Sequence, residues 1–400
     1  MRILHTSDWH LGKHLENQSR LDEQEKVIED IIEIADEKEI DIVIIAGDIY
    51  DNSNPPAKAE RLLYKALRRL GKNGERVVLV IAGNHDNPDR LTASTPLAYE
   101  HGIILLGNPK SRVDKGKIGK HEVLEADEGY VELKINDENI VILTLPYPSE
   151  QRLNEVLGDI SDEKELQRNY SEKVGEILGN LSEKFREDTI NIAVSHIFVL
   201  GGETSDSERV LQVGGGLTVA GESLSIGAQY IALGHLHKPQ RVKYKNVHAI
   251  YSGSPLQYSR SEIGYSKCVY IVDLKPLEEA KTEEILLKNR KPIEVWRCRG
   301  IDEAIDMCER NVDREVWAYL EIETDKVLDQ SHIKSIKKLK PDILSIVPII
   351  QEVENDDEGI ESFKERNIME LFREFYVHER KIEPSEEFME LFVDIAGEED

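Results

Sequence analysis

Seven residues of this 400-residue chain have the side chains and spacing to hold metal ions: Asp8 and His10 in SDWH (7–10), Asp48 closing AGD (46–48), Asn84 in GNHD (83–86), His196 ending INIAVSH (190–196), and His235 and His237 in GHLH (234–237). Carboxylate, imidazole and amide oxygen are the donors that hard and borderline divalent ions take. Two such ions about 4 Å apart clamp the attacking and the leaving oxygen of a phosphoester. One carboxylate must then bridge, and Asp48 is the natural choice, lying centrally in the series. Each fragment by itself is weak. A lone D-x-H is more often a polar strand end, and a single buried histidine more often a satisfied core residue. Their joint weight comes from where they fall along the chain.

Each donor ends a short apolar run. Arg2 to Thr6 reads as a strand, whose period of two puts Asp8 and His10 on one face. Further runs cover 41–48, 77–86, 140–147, 190–196, 230–237, 248–255 and 268–274. Helical patterns separate several of them, over 21–39 with Val27, Ile28, Ile31, Ile32 and Ile34 on one broad face, and over 57–70. This alternation predicts an α/β layered fold with buried sheets. In such folds ligands sit beyond the carboxyl ends of strands, so five strand ends bearing Asp, His or Asn converge. The neighbouring glycines let the backbone turn sharply and approach an ion. A break at Lys275-Pro276 separates residues 1–275 from a small α/β domain, 276–354, with strands over 283–298, 316–324 and 342–353 and helices over 301–311 and 331–340. NDDEG (355–359) reads as a linker into a helical tail, 355–400.

Net charge is −27, from 78 acidic and 51 basic residues. Residues 351–400 carry 18 Asp and Glu against 5 Lys and Arg, which is about half the excess. Such a chain repels polyanions at long range, so a nucleic-acid partner requires local basic patches, metal ions or a second subunit. The one markedly basic stretch, KNRKPIEVWRCR (288–299), holds Lys288, Arg290, Lys291, Arg297 and Arg299. It reads either as a solvated strand or as a phosphate-contacting surface. Cys268, Cys298 and Cys308 have no C-x-x-C pairing and read as packing residues in a reducing compartment. No apolar run approaches the ~20 residues of a membrane span, and no signal peptide precedes the first strand. A cytoplasmic protein without a membrane partner is expected.

The ordered set D-x-H, G-D-x-x-D, G-N-H-D, H and G-H-x-H resembles the calcineurin-like metallophosphoesterases. HTSDWHLG (5–12), AGDIYD (46–51) followed by NPP (54–56), VIAGNHD (80–86), SDSERVLQVGG (205–215), ALGHLHKPQ (232–240) and YSGSPLQYS (251–259) narrow the likeness to the SbcD-type nucleases, over essentially the whole chain. That resemblance implies a layered β-sheet core flanked by helices, a small α/β capping domain and a C-terminal helical pair. It implies that Asp8, His10, Asp48 and His237 hold one Mn²⁺ and that Asp48, Asn84, His196 and His235 hold another, with Mg²⁺ able to substitute. His85 would act on the scissile phosphate, oriented and charged by Asp51; a plain turn role for Asp51 before Asn52 and Ser53 stays open. Protein phosphatases follow the same Asp with Arg, whereas Asn52 stands here, which weighs against phosphoprotein substrates.

The resemblance further implies the nuclease subunit of an SbcCD-type complex. It would act as a 3′-to-5′ exonuclease on duplex DNA and as an endonuclease on single strands and hairpins, in repair, recombination and replication. An SbcC-type coiled-coil ATPase would gate access, and a homodimer would form through helices near 58–70 and 89–100. In the tail, Ile368, Leu371, Phe372 and Phe375 follow i, i+3, i+4, i+7. Phe388, Leu391, Phe392 and Ile395 repeat that pattern after Pro384-Ser385, where Ser385 can cap the second helix. Two short acidic helices with aromatic stripes can pack on one another, and the resemblance makes them the grip on the ATPase's coiled coil.

Other motifs carry less. VGGGLTVAG (213–221) lacks GK[ST] and reads as a flexible loop over the site. His5 is out of phase with the metal pair and belongs to the core, and Trp9 points opposite to Asp8 and His10 and packs beneath them. His14, His101, His121, His248 and His378 have no partner pattern. Two competing readings remain: a phosphodiesterase for small nucleotides, which needs neither second domain nor tail, and a scaffold subunit whose metal site is structural.

Overall fold

The computed structural model describes residues 1–154, 163–208, 217–324 and 328–350, and in the tail Phe372, Arg373, Tyr376, Val377, Pro384, Phe388 and Met389. It separates into one unit of Met1–Ile322 with Asp329–Val347, and a second of Glu323–Leu328 with Pro348–Asp400.

In the first unit, β1 (Arg2–Thr6), β2 (Ile42–Ala46), β3 (Val77–Ile81) and β4 (Ile103–Leu106) lie side by side and parallel. The crossovers from β1 to β2 and from β2 to β3 carry α1 (Leu21–Glu37) and α2 (Ala57–Leu70). Every residue of β2 and β3 is buried, as parallel strands covered on both faces require. The antiparallel strands Cys268–Asp273 and Lys281–Leu286 complete a six-stranded sheet beyond β1.

An eight-stranded sheet lies opposite. Its parallel centre is β5 (Glu138–Leu145), β6 (Ile190–His196) and β7 (Tyr230–Gly234), with α3 (Glu163–Ser182) between β5 and β6 in sequence. Between the sheets, Ile3, Ile42, Ile44, Val77 and Leu79 meet Ile140, Ile142, Ile192, Val194 and Ala232. On the outer faces, Leu4, Val43, Ile45 and Val78 pack under Val27, Ile31, Leu63 and Ala66 of α1 and α2, while Val141, Leu143, Ala193 and Ile231 pack against Tyr170, Val174 and Leu178 of α3. The result is four layers, helix, sheet, sheet, helix. The carboxyl ends of both parallel centres open on the same edge.

A three-stranded sheet follows, ordered β8 (Ile293–Arg299), β9 (Trp317–Thr324), β10 (Ile343–Ile350), with α4 (Gly300–Arg310) and α5 (Gln330–Leu339) in its connections. It docks on the first sheet's side of the unit. Trp317 Nε1 donates to Glu23 Oε1 at 2.8 Å, Tyr319 OH to Glu16 Oε1 at 3.2 Å, and Leu15 packs among Ile293, Trp317, Tyr319 and Leu344.

Two sequence expectations are corrected. The run 283–298 is not one strand: Lys281–Leu286 pairs in the first sheet and Ile293–Arg299 in the small one, separated at Pro292, whose preceding residue is kept out of regular pairing. Lys275-Pro276 is therefore a turn inside the first sheet. Also, β1 ends at Thr6, so Asp8 and His10 do not owe their common direction to a strand pleat.

Cys268, Cys298 and Cys308 are free and buried. Among the described residues no helix is long and apolar enough to cross a membrane. In the second unit, Phe388 stacks on Phe372 with ring centres 6.0 Å apart and meets Tyr376 at 5.2 Å. Ile368, Leu371, Phe375, Leu391, Phe392, Ile395, the cap Ser385, the linker 355–359 and the glycines of 213–216 lie outside the described residues.

Candidate dimetal active site

The loops that leave β1, β2 and β3 are stitched together before they offer a side chain. The Asp8 and His10 amides donate to the Gly47 and Asp48 carbonyls, both at 3.0 Å, and that of Leu11 to Ile49 at 2.9 Å. The buried Asp86 carboxylate accepts the amides of Ile49, Tyr50 and Gly83 at 3.1, 2.9 and 2.8 Å, tying the loop after β2 to the loop after β3. Sequence reading passed over Asp86, although it closes the quoted GNHD. Asp8, His10, Asp48 and His235 adopt φ of 53°, 45°, 49° and 106°. Non-glycine residues held at positive φ cost on the order of 1–3 kcal/mol each and persist only where their surroundings over-determine them. This kinked backbone, rather than a pleat, aims Asp8 and His10.

The two sheets nearly touch here. A Cβ on Gly47 would collide with His196 Nδ1, and one on Gly234 with the Ala46 carbonyl oxygen. His196 uses that proximity. Its Nδ1 donates to the Ala46 carbonyl at 2.8 Å, across the sheets, which turns Nε2 toward the cluster.

All seven candidate donors are brought together. Asp8, His10 and His237 each present a ligand atom within 4.8 Å of the others, and so do Asp48, His196 and His235. Asp48 Oδ2 sits between the groups, 3.6 Å from His10 Nε2 and 3.4 Å from His196 Nε2. Asn84 Oδ1 lies 3.0 Å from His196 Nε2 and 3.2 Å from His235 Nδ1. His10 and His237 turn their Nε2 atoms toward each other at 3.0 Å. Six of the seven are buried and Asn84 is partly so.

This donor set fits divalent cations. The lone-pair atoms are crowded on one another, His10 Nε2 against His237 Nε2 and Asn84 Oδ1 against His196 Nε2 and His235 Nδ1, an arrangement that a cation between them satisfies. Burial drives His10 well below the usual imidazole range and His235 down to about 3, so both rings are neutral. Burial pushes Asp8 up to about 6 in spite of His196 and His237. Burial also acts to raise Asp48, but the neighbouring histidines, His196 first, outweigh it and hold Asp48 well below the ordinary range. Asp48 and Asp8 outweigh burial at His196 and raise it to about 9, and Glu262 raises His237, so these two rings give up a proton where neutral imidazole binds metal.

His85 adjoins the cluster, with Nε2 3.9 Å from Asp48 Oδ2 and its ring 4.7 Å from that of His10, edge to face. Its Nδ1 donates to the main-chain oxygen of Asp51 at 2.6 Å. The Asp51 carboxylate instead accepts Lys13 Nζ at 2.9 Å and lies 3.8 Å from His10 Nδ1. The expectation that this carboxylate orients His85 is thus corrected: Asp51 orients His85 through its carbonyl, because the backbone after β2 turns that group inward, while its carboxylate stays within 4.8 Å of a His85 ring nitrogen. Trp9 is fully buried, with Nε1 bonded to Thr6 Oγ1, and His5 lies in the core with Nδ1 2.8 Å from Tyr230 OH.

The basic stretch does not present five cations together. Arg290 is bound to Asp30 of α1, Lys291 to Asp342 at 2.5 Å while covering the Trp317 ring, and Arg297 to Glu321 at 2.9 Å. Lys288, Arg297 and Arg299 are exposed.

Residues 1–239 match the family model described as calcineurin-like phosphoesterase, and residues 289–380 the one described as type 5 capsule protein repressor C-terminal domain. The SbcD subunit of the SbcCD nuclease of Bacillus subtilis (strain 168) is 44% identical over 399 residues, 99% of this chain and 98% of that protein. A dimetal phosphatase from Danio rerio aligns in structure over 71% of this chain and 99% of its own, at 12% identity and a TM-score of 0.40, a likeness too loose to argue from. With the phosphoesterase model spanning more than half its length and the 44% identity nearly all of it, the chain belongs to the calcineurin-like phosphoesterases and, among them, to the SbcD nuclease family.

Proposed function

We propose that this chain is the DNA-cleaving subunit of an SbcCD-type complex, working with two Mn²⁺ per subunit, for which Mg²⁺ can substitute. The observation that carries the reading is the buried, two-lobed donor set with Asp48 Oδ2 between the lobes. Asp8, His10, Asp48 and His237 would hold one ion, and Asp48, Asn84, His196 and His235 the other. Such a pair supplies a nucleophilic water at neutral pH and takes up charge on the phosphate. The chain's own residues do the rest. The Asp51 carbonyl fixes His85 with Nδ1 protonated, so Nε2 faces the cluster and, when protonated, can donate to the departing sugar oxygen. The nearly complete burial of the donors keeps bulk water from competing for them.

The finer reading follows the same line: 3′-to-5′ exonuclease action on duplexes, endonuclease action on single strands and hairpins, and service in DNA repair, recombination and replication in the cytoplasm. The three-stranded sheet would cap the site and reach DNA, through the exposed Lys288, Arg297 and Arg299 of the basic stretch. An SbcC-type coiled-coil ATPase would seat on the tail, where Phe372, Tyr376 and Phe388 form an aromatic contact, and two chains would pair through the helices near 58–70 and 89–100.

The test is a cleavage assay on linear duplex, hairpin and single-stranded DNA with Mn²⁺, Mg²⁺ or chelator, with and without the ATPase. Cleavage that requires Mn²⁺, vanishes with chelator and responds to the ATPase is expected. No cleavage in any arm overturns the reading, and turnover of a small cyclic nucleotide in its place would identify a phosphodiesterase.

A further inference from the structure

Behind His237, on the side away from Asp8 and His10, lies a buried ion pair that none of the metal-binding motifs contains. Glu262 is completely buried at the end of a short turn, and Lys267, with its side chain 4% exposed, immediately precedes the strand Cys268–Asp273. The two are in direct contact. Withdrawing an ion from water costs several kcal/mol, so a pair like this persists only when further hydrogen bonds satisfy it. Those bonds converge on His237. Lys267 Nζ donates to the His237 carbonyl at 2.9 Å and to Ser254 Oγ at 2.8 Å. Glu262 Oε1 lies 3.3 Å from His237 Nδ1, accepts the Tyr258 amide at 3.2 Å and is bonded by the Ser207 hydroxyl. Ser207 Oγ is itself 2.6 Å from His237 Nδ1, and Glu208 accepts the His237 amide at 2.7 Å.

Among the seven donors, His237 is thereby the histidine whose ring and backbone are both held by one charged unit. Its Nδ1 faces an oxygen-rich wall, so its proton belongs there and the lone pair is on Nε2, the atom 3.0 Å from His10 Nε2. We propose that Glu262, locked in place by Lys267, is a positioning residue for His237. It fixes the ring's tautomer and direction and makes Nε2 a stronger donor to the ion that Asp8 and His10 would share. Ser207 plays the lesser part, since a hydroxyl can turn either way whereas an ionised carboxylate only accepts. The proposal rests on the dimetal reading of the site and adds residues from a stretch 25–30 positions further along the chain.

Calorimetric Mn²⁺ titration of metal-free protein, with its melting temperature recorded alongside, tests this. Glu262→Gln removes the charge and keeps the shape, but leaves Lys267 alone in the interior. The double variant Glu262→Gln/Lys267→Met removes both charges and keeps the fold measurable if the single one does not fold. Ser207→Ala, which leaves both charges of the pair in place and removes one hydroxyl from Glu262 and His237, serves as comparison. The parent is expected to bind two ions. The Glu262 variants should weaken one of them about 10–100-fold, the loss typical when a ligand histidine loses its outer partner, while the other ion binds as in the parent. Ser207→Ala should bind both nearly as the parent does. Two unchanged affinities in the folded Glu262 variants overturn the proposal, and so does a loss that Ser207→Ala reproduces in full. A parent that binds no Mn²⁺ overturns instead the dimetal reading beneath it.

Discussion

His85 and Asp51 stand three-dimensionally close to the seven donors but differ from them in kind. A metal ligand is recognisable from its residue type, because only a few side chains carry the right lone pairs. The partner that orients a catalytic ring can equally be a main-chain oxygen, and here it is. This distinction separates two substitutions. Replacing His85 by Gln should lower kcat for DNA cleavage about 10²–10⁴-fold, the usual worth of a positioned acid, with bound Mn²⁺ per chain unchanged. Asp51→Asn keeps the carbonyl and should leave kcat within about tenfold, or ~1.4 kcal/mol of barrier. Cleavage rates paired with metal analysis decide the matter. Full activity in the His85 variant removes it from the mechanism, and an Asp51→Asn loss as large as that of His85→Gln restores the carboxylate to it.

The elements act through their ends. Apolar runs of five to eight residues made β1, β2, β3, β5, β6 and β7 legible, whereas the four-residue β4 was passed over, and α2 spans the 57–70 of its helical pattern. What periodicity misread was the segment just past a strand. Asp8 and His10 share a direction because both sit at positive φ in a loop bonded to Gly47 and Asp48, a conformation that a strand pattern cannot express. The same holds for the glycines. Gly47 has φ of 92° and bends the chain, but Gly234 is needed because β7 and β2 come together across the sheet interface. Gly234→Ala should therefore destabilise the fold by at least ~2 kcal/mol, as overpacking of a closed interior does. It should also weaken Mn²⁺ binding, since its Cβ displaces the carbonyl that holds His196. Urea denaturation and metal titration would measure both, and an alanine variant equal to its parent in each would mean that the sheets have room to spare.

At the scale of the molecule, stability depends on how two sheets distant in sequence are held face to face. The aliphatic interface also holds a buried polar bridge, His5 of β1 to Tyr230 of β7, 225 positions apart. Burial lowers the His5 pKa to about 3. Unfolding restores it to about 6.5. Between those pH values the unfolded chain binds a proton that the folded chain refuses, so this group's contribution is complete above pH ~6.5 and is lost as pH falls toward 3. The loss amounts to about 1.4 kcal/mol per pH unit. His5→Phe should cost about 1 kcal/mol at neutral pH through the lost hydrogen bond, yet show a shallower decline in urea stability from pH 6 to pH 4.5. Parallel declines in the two proteins would show that His5 is not held neutral.

The chain's residue order by itself determined the chemistry: seven donors, each placed where an apolar run stops, and an α/β pattern that obliges such stops to gather on one edge. These are local properties, written in residue type and short spacing. Tertiary structure decided what local pattern cannot carry. It put Lys281–Leu286 in the first sheet, bound Arg290 of the basic stretch to Asp30 of α1, turned the Asp51 carbonyl rather than its carboxylate to His85, and set Glu262 and Lys267 behind His237. Each of these depends on which backbone segments meet across the two sheets, and burial makes the meeting consequential. In the interior every polar atom must find a partner, and that partner is whichever group the fold brings within reach, however far away it lies in sequence.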